Sequence, residues 1–574
     1  MPVNKLTWKV GGEAGFGILN AGMMFAKTAM RAGLYSFASA EYPSLIRGGH
    51  NHLDVKVSEK AVTSHEKALN VLVALDTLTY NKHRDKVVQD GAIIFDSRTT
   101  KIAEKPNAKV LLLDIPLLDI AEKNGGRLMR NTVAIGATMA LVDLDLRYFS
   151  SVLEDNFGRK GEAVVKGNIQ AAKAGFDYVR QKNGNNFRFK LKAKTNPGRM
   201  LMSGNDAATA GAIKAGCKFL AAYPMTPASS IMSTFAGEER NYSLIMKHTE
   251  DEIAAINMSI GASYAGVRSL CATSGGGFSL MTEGFGLAAQ TETPLVVIES
   301  QRPGPATGMA THSSQGDLLF MMHAGTDEFP RIIVAPGDIE ESYYATFDAF
   351  NLAEKYQLPV VVLMDKYLSE SYATIDSLKT DLKVDRGLMP GKAEDNYRRY
   401  RHTPSGVSPR TIPGVKKGMF TASSYEHDEV GYEREEEEIR IAMHDKRFRK
   451  FEQAKKDIPG PKLYGPKQAG LTVLCWGSNK GPVLQAMEWL KENNIDVNML
   501  HVQYLNPFPA EAVKKAMQEA RKTVDLENNK TGQFAQLVKL NTGLDMDEAV
   551  LKYDGRPFFP EEIYDALKRI ADGK

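Results

Sequence analysis

Cysteine is scarce in this chain: 574 residues contain 3, Cys217, Cys271 and Cys475, far apart and in no CxxC pair. That excludes a disulfide framework and leaves no four-thiolate metal or iron–sulfur site within the chain, so a reducing compartment follows. An excess of one charge is also missing. Basic residues number 72 against 69 acidic ones, a net of +3, so no field argues for nucleic acid or anionic lipid as a partner. No uninterrupted apolar run approaches the ~18 residues needed to span a bilayer, and the N-terminus MPVNKLTWKV lacks the apolar stretch of a signal peptide. The expectation is a cytoplasmic protein that binds neither nucleic acid nor membrane.

What is present is an ordinary folded composition, 43% hydrophobic and 25% charged, at a length that implies about three or four domains. The strand-like run LTWKV leads into GGEAGFG (Gly11 to Gly17) and then the apolar-periodic ILNAGMMFAKTAMRAG, a strand, glycine loop and helix. Further strands at HLDVKV, LNVLVALD, GAIIFD and KVLLLDI and helices to about residue 183 complete one α/β domain, assigned 1–190. A polar, basic stretch broken by Gly and Pro follows as a linker. From Asn205 strands and helices alternate through CKFLAAYP, SLIMKHT, RSLCATS, PLVVIES, RIIVAP and LPVVVLMD, the rhythm of a parallel sheet covered on both faces. This second domain is assigned 200–380. Residues 381–465 lose the rhythm and read as a linker region, their charged run EREEEEIRIAMHDKRFRKFEQAKKD as a solvated helix face. A last α/β unit, 466–574, begins at LTVLCWGS.

Four segments of the second domain carry residues suited to chemistry. YPMTPASS (Tyr223 to Ser230) ends a strand before a helix, where ligands bind in open α/β sheets and helix N–H groups suit an anion; the plain alternative is that Thr226 or Ser229 caps the helix. Thr249 and Glu252 have capping-box spacing, yet a buried carboxylate at such a junction can instead carry a proton. Gly275 to Gly277 follow a strand and let backbone approach a planar or anionic ligand. The loop QRPGPATGMATHSSQGD holds Arg302 and His312; the arginine's planar donor fork fits a carboxylate, although on pattern alone a surface arginine is the better reading.

Taken together, these segments resemble the 2-oxoacid:ferredoxin oxidoreductases, thiamine diphosphate enzymes that oxidatively decarboxylate 2-oxoacids to acyl-CoA. YPMTPASS resembles the family's YPITPSS signature, EDEIAAINMSIGASYAGVRSLCATSGGGFSLM the pyrimidine-binding domain of its α subunit, and QRPGPATG its substrate loop. The N-terminal domain resembles the family's γ domain, whose GxGGxG appears as Gly12, Ala14, Gly15 and Gly17, Ala14 standing in for a glycine, followed by YPSLIRGGH. TVDLENNKTGQFAQLV resembles the α subunit's transketolase C-terminal-like domain. The implied fold class is α/β, three Rossmann-like or thiamine-fold units in series, in a fused γ–α subunit of the kind most often seen with 2-oxoglutarate.

By this resemblance Glu252 bonds N1′ of the thiamine pyrimidine and so activates the cofactor, with Glu250 in reserve; Thr273, Ser274, Gly275, Gly276 and Phe278 join it in binding the cofactor. Tyr223, Pro224, Thr226, Arg302 and His312 are implied for the 2-oxoacid, His312 toward the far carboxylate of a dicarboxylic substrate. Gly15, Gly17, Ser44, Arg47 and Gly48 are candidates for CoA. The chain lacks a GDG…N segment, so Mg2+, the diphosphate end of thiamine diphosphate and the [4Fe–4S] cluster are expected on a β subunit, in an (αβ)2 assembly that reduces ferredoxin. Three alternatives are the same reaction on pyruvate, indolepyruvate or branched-chain 2-oxoacids, a noncatalytic CoA- or nucleotide-binding scaffold, and a transketolase-like enzyme.

Overall fold

The runs PLVVIES and LPVVVLMD form strands buried along their whole length, as continuous apolar segments do at the centre of a parallel sheet covered on both faces. The structure, a computed structural model, describes residues 3–44, 48–183 and 186–573. The chain divides into two compact units: residues 1–202 with 370–378 and 559–562, and the remainder of 203–574. Among the described residues no helix is long and apolar enough to cross a membrane.

In the first unit β1 (Lys5–Glu13), β2 (Tyr35–Glu41), β3 (His50–Ser58), β4 (Leu69–Ala74), β5 (Val87–Phe95) and β6 (Leu111–Asp114) lie in the sheet order β6-β5-β4-β1-β3-β2. Tyr372–Ile375 and β7 (Met200–Ser203) extend the β2 edge. β1, β4, β5 and β6 are parallel, whereas β3 is antiparallel to β1 and to β2. Trp8, fully buried on β1, packs 4.6 Å from Phe25 of the helix Ile18–Arg31. That helix starts at Gly17, whose φ of 69° lies in the left-handed region, a conformation that glycine adopts without a steric penalty.

The second unit holds β8 (Phe219–Ala222), β9 (Ile245–His248), β10 (Ser269–Thr273), β11 (Leu295–Gln301), β12 (Ile332–Val334) and β13 (Pro359–Asp365). These parallel strands are ordered β12-β13-β11-β10-β8-β9, with the antiparallel strand Tyr504–Asn506 outside β12. From β8 the chain leaves for the β9 edge, and from β10 it leaves toward β11. The neighbouring strands β8 and β10 therefore mark the point where the winding reverses, and the crevice beyond their carboxyl ends is where open α/β sheets bind ligands. A separate five-stranded sheet is built from Lys462–Tyr464, Val497–His501, Leu471–Cys475, Thr523–Glu527 and Glu548–Leu551.

The charged run after residue 433 departs from expectation. It does form a helix, Glu437–Asp457, but Lys446 and Lys450 on it are fully buried. Both pair with Glu292, Lys446 at 2.7 Å and Lys450 at 2.5 Å. Against the opposing effect of burial, the charges of Lys446, Lys450 and Arg399 hold the Glu292 carboxyl well below the usual range. A solvated face could not have been told from an interior one by composition, because long cationic side chains serve both.

Candidate functional site

The crevice beyond β8 and β10 collects the candidate residues of four successive strand ends. Past β9, the helix Glu252–Tyr264 begins. Its cap is Asp251, whose carboxylate accepts the Ala254 N–H at 2.8 Å, while Thr249 donates its hydroxyl to the Asp251 carbonyl. The Thr249–Glu252 capping box is thus not formed. Glu252 is left 3% exposed, and its Oε1 has no hydrogen-bond partner. Glu250, two residues earlier, is exposed.

Past β10, Ser274 precedes the helix Gly275–Gln290 without a side-chain cap, and its buried Oγ is also unpartnered. A β-carbon at Gly277 would stand 2.6 Å from Glu252 Oε1 and would overlap the Thr273 hydroxyl. One at Gly275 would stand 2.9 Å from the Asp317 carboxyl carbon, whereas one at Gly276 would meet nothing closer than the Ala306 carbonyl at 3.7 Å. Gly277 and Gly275 are therefore glycine because carboxyl groups lie against them, and Gly276 faces open space. Phe278 is 0% exposed in the core, edge-on to Phe285 and Phe320 with centroids 5.3 and 5.8 Å away.

Past β8, Tyr223 and Pro224 are exposed and Thr226 is half-buried. Neither Thr226 nor Ser229 caps the following helix; Ala228 holds the cap position and offers no side-chain acceptor. Arg302, just past β11, donates from Nη1 to the Thr226 carbonyl at 2.7 Å, so the structure brings the arginine and the YPMTP turn together. The rest of the arginine's loop is pinned by Gln315, which accepts from Asn479 Nδ2 at 2.7 Å and from the Asn528 N–H at 3.0 Å. His312, half-buried, lies in that loop, and the next residue, Ser313, donates its N–H to the Gly555 carbonyl at 3.0 Å.

Two carboxyl groups here were not singled out in the sequence. Glu299, inside β11, is 0% exposed with both oxygens unpartnered. Burial, then the charges of Asp317 and Asp365, push its carboxyl well above the usual range, with Arg302 opposing. Asp317 is pushed up to about 6 by burial, again against Arg302. The signal available was one glutamate inside the apolar run PLVVIES.

In the first unit, Gly15 and Gly17 line a cavity of about 450 Å³ together with Thr99, Arg130, Asn131 and Phe157. Asn131 Nδ2 donates to the Phe16 carbonyl at 2.6 Å and the Gly17 carbonyl at 3.2 Å, leaving a buried, unpartnered Oδ1. The Arg130 guanidinium lies 4.2 Å from the centre of the Phe16 ring. The helix after Gly17 has no side-chain cap and no acidic residue in its first turn, which suits an anionic ligand. Ser44 is exposed and Gly48 half-buried, and neither is among the cavity's lining residues. Arg47 lies outside the described residues.

The residues beyond β9 and β10 fit a thiamine pyrimidine. Two buried polar atoms, Glu252 Oε1 and Ser274 Oγ, lack partners near Gly276, where a β-carbon would meet no side chain, and a ring with nitrogen donors and acceptors would satisfy both.

Comparison with known proteins identifies the family. Residues 7–178 match the pyruvate ferredoxin/flavodoxin oxidoreductase model, residues 210–446 the thiamine-diphosphate-binding model of pyruvate flavodoxin/ferredoxin oxidoreductase, and residues 469–563 core domain II of pyruvate:ferredoxin oxidoreductase. The 2-oxoacid:ferredoxin oxidoreductase α subunit of a Sulfolobus species is 33% identical over 99% of this chain and 98% of its own. The 2-oxoglutarate synthase subunit KorA of Methanothermobacter thermautotrophicus is 30% identical, 98% of it matching 64% of this chain. Among solved structures, 2-oxoglutarate:ferredoxin oxidoreductase from Magnetococcus marinus, with 2-oxoglutarate, coenzyme A and succinyl-CoA bound, is 31% identical with a TM-score of 0.92, covering 99% of this chain and 100% of that one.

Proposed function

The chain belongs to the thiamine-dependent 2-oxoacid:ferredoxin oxidoreductase α-subunit family, and from that premise we propose that it converts 2-oxoglutarate and CoA to succinyl-CoA and carbon dioxide, with one electron pair leaving for ferredoxin. The observation that carries the reading is the buried, partnerless Glu252 Oε1 against Gly277. When bound, thiamine diphosphate supplies a nucleophilic carbon and a sink for the electrons released as carbon dioxide leaves.

Glu252 holds a proton at the pyrimidine N1′, an interaction strengthened because its carboxylate is buried and has no competing partner. Gly276 would admit the ring edge, and Ser274 Oγ would offer it a hydrogen bond. Arg302, anchored on the Thr226 carbonyl, orients the 2-oxoacid carboxylate with its planar fork, and the Thr226 hydroxyl assists. Because burial pushes the Glu299 carboxyl well above the usual range, it competes less for the arginine's charge. In this reading Tyr223 and Pro224, exposed past β8, are further substrate contacts, and His312 is assigned to the distal carboxylate that sets 2-oxoglutarate apart from pyruvate. Gly15, Gly17 and Arg130, which line one cavity, bind CoA in this reading.

A β subunit supplies Mg2+, the diphosphate contacts and the [4Fe–4S] cluster. Burial pushes the thiols of Cys217 and Cys271 up to about 12 and raises that of Cys475 further, and thiols are poor cluster ligands unless ionised. In support of 2-oxoglutarate stand the relatives named for it.

The test is anaerobic purification of the chain with its partner, followed by 2-oxoacid- and CoA-dependent viologen reduction. We expect kcat/KM for 2-oxoglutarate at least about tenfold above that for pyruvate, a difference of about 1.4 kcal/mol in transition-state binding. Equal or reversed preference would contradict the substrate assignment. A chain that binds CoA yet never supports turnover would contradict the enzyme assignment.

A further inference from the structure

The first unit contains a group of imidazoles that the proposed reaction does not use. β3 opens with His50 and His52, two residues apart and hence on one face of the strand. His83 ends the helix Thr77–His83, which follows β4. One ring nitrogen from each of the three lies within 4.8 Å of the others. His50 Nε2 and His83 Nε2 are 2.8 Å apart, and the rings of His50 and His52 are stacked with centroids at 5.3 Å. His52 is 8% exposed and its Nδ1 is buried without any partner. Gly11 leaves room for the group, since a β-carbon there would stand 3.1 Å from His50 Cε1.

We propose that His50, His52 and His83 bind a divalent transition-metal ion of the zinc class, at a site separate from the thiamine half-site. Imidazole nitrogen is a preferred donor for that class, and three such ligands with one open position form a recognised coordination pattern. Zn–N bonds of about 2.0–2.1 Å place tetrahedral ligand atoms about 3.4 Å apart, so the His50–His83 pair must open slightly and His52 must close, movements within the reach of side-chain rotation. The surroundings supply one outer acceptor of the kind that orients a metal-bound histidine. His50 Nδ1 faces Thr79 Oγ1 at 3.4 Å. His83 Nδ1 faces Lys9 Nζ at 3.5 Å, and that ammonium is already paired with Asp54 at 3.0 Å. Once the metal takes Nε2, the His83 proton moves to Nδ1 and Lys9 turns fully to Asp54.

Charge does not exclude the ion. Lys9, Lys82 and Lys86 face the imidazoles, and so do the carboxylates of Asp54, Glu41 and Asp76. His50 is only half-buried, which gives the ion a path from solvent.

The experiment uses the full chain with its co-purifying subunit, stripped with a chelator and dialysed against zinc buffered by a weak chelator, with zinc counted by mass spectrometry. We expect one retained zinc per chain, at least a tenfold loss of affinity in His52→Gln and in His83→Gln, and no change in His402→Gln, an exposed histidine of the second unit. Cobalt in place of zinc should give the intense visible bands of a tetrahedral site. No zinc retained, or retention unchanged in His52→Gln, would overturn the proposal. Should both variants misfold, zinc-edge absorption on the parent decides: scattering from three imidazoles supports the site, and fewer than three overturns it.

Discussion

Gly277 and Glu252 are locked together: the glycine's missing side chain is the space that the glutamate's carboxyl occupies, with Oε1 only 2.6 Å from where a β-carbon would stand. Because the Thr273 hydroxyl fills the remainder of that space, neither neighbour can retreat without leaving the cradle. Gly277→Ala is expected to destabilise the chain by about 1–3 kcal/mol through overpacking and to abolish thiamine-dependent turnover. Gly276→Ala, whose β-carbon would meet nothing closer than 3.7 Å, should leave the melting temperature unchanged and raise the thiamine diphosphate concentration required for activity. Thermal melts and cofactor titrations on both variants check this. Equal effects at the two positions would contradict the assignment.

Arg302 is held by the Thr226 carbonyl through Nη1 at 2.7 Å. Arg302→Lys keeps a positive charge but loses the planar fork, and bidentate sites do not tolerate that exchange. We expect KM for the 2-oxoacid to rise at least about tenfold, or about 1.4 kcal/mol, with KM for CoA unchanged. Steady-state kinetics with each substrate varied in turn provide the check.

The CoA assignment is tested in the other unit. Arg130→Gln removes a cation from the cavity lined by Gly15 and Gly17 and should raise KM for CoA at least about fivefold, about 1 kcal/mol, while KM for the 2-oxoacid stays fixed. A change confined to the 2-oxoacid would overturn the assignment.

A buried acid pair makes stability depend on pH. Asp525 is 0% exposed with neither carboxyl oxygen partnered; burial and the neighbouring Glu527 raise its pKa. The folded state therefore keeps a proton that the unfolded chain releases above about pH 3.9, so this group's contribution falls as pH rises above that value. Asp525→Asn removes the dependence. Its melting temperature, relative to the parent, should increase steadily from pH 5 to pH 8; a gap that stays constant would contradict the shift.

Much of this was legible in the sequence. Alternating strands and helices gave the α/β class, and the pattern of residues at successive strand ends pointed to Glu252, Gly275 to Gly277 and Arg302 as candidates. Other features depended on three-dimensional neighbours. The choice between Glu252 as cap and Glu252 as free carboxylate turned on Asp251 taking the cap, which spacing alone does not decide. Glu299 and Asp317 were overlooked because a carboxyl in an apolar strand signals nothing until its partners are known. Arg130 and Asn131 meet Gly15 and Gly17 only through folding, more than a hundred residues apart in sequence. The histidine group has the same origin, two members on one strand and the third at the end of a later helix.

The most direct measurement compares Glu252→Gln with the parent in viologen reduction driven by 2-oxoglutarate and CoA, alongside a thermal melt of each. The exchange preserves shape and, at Oε1, breaks no hydrogen bond within the chain. The account predicts a loss of kcat of at least about 100-fold, the scale of a removed proton-transfer group, with the melting temperature kept within a few degrees. Turnover within a few-fold of the parent would contradict it.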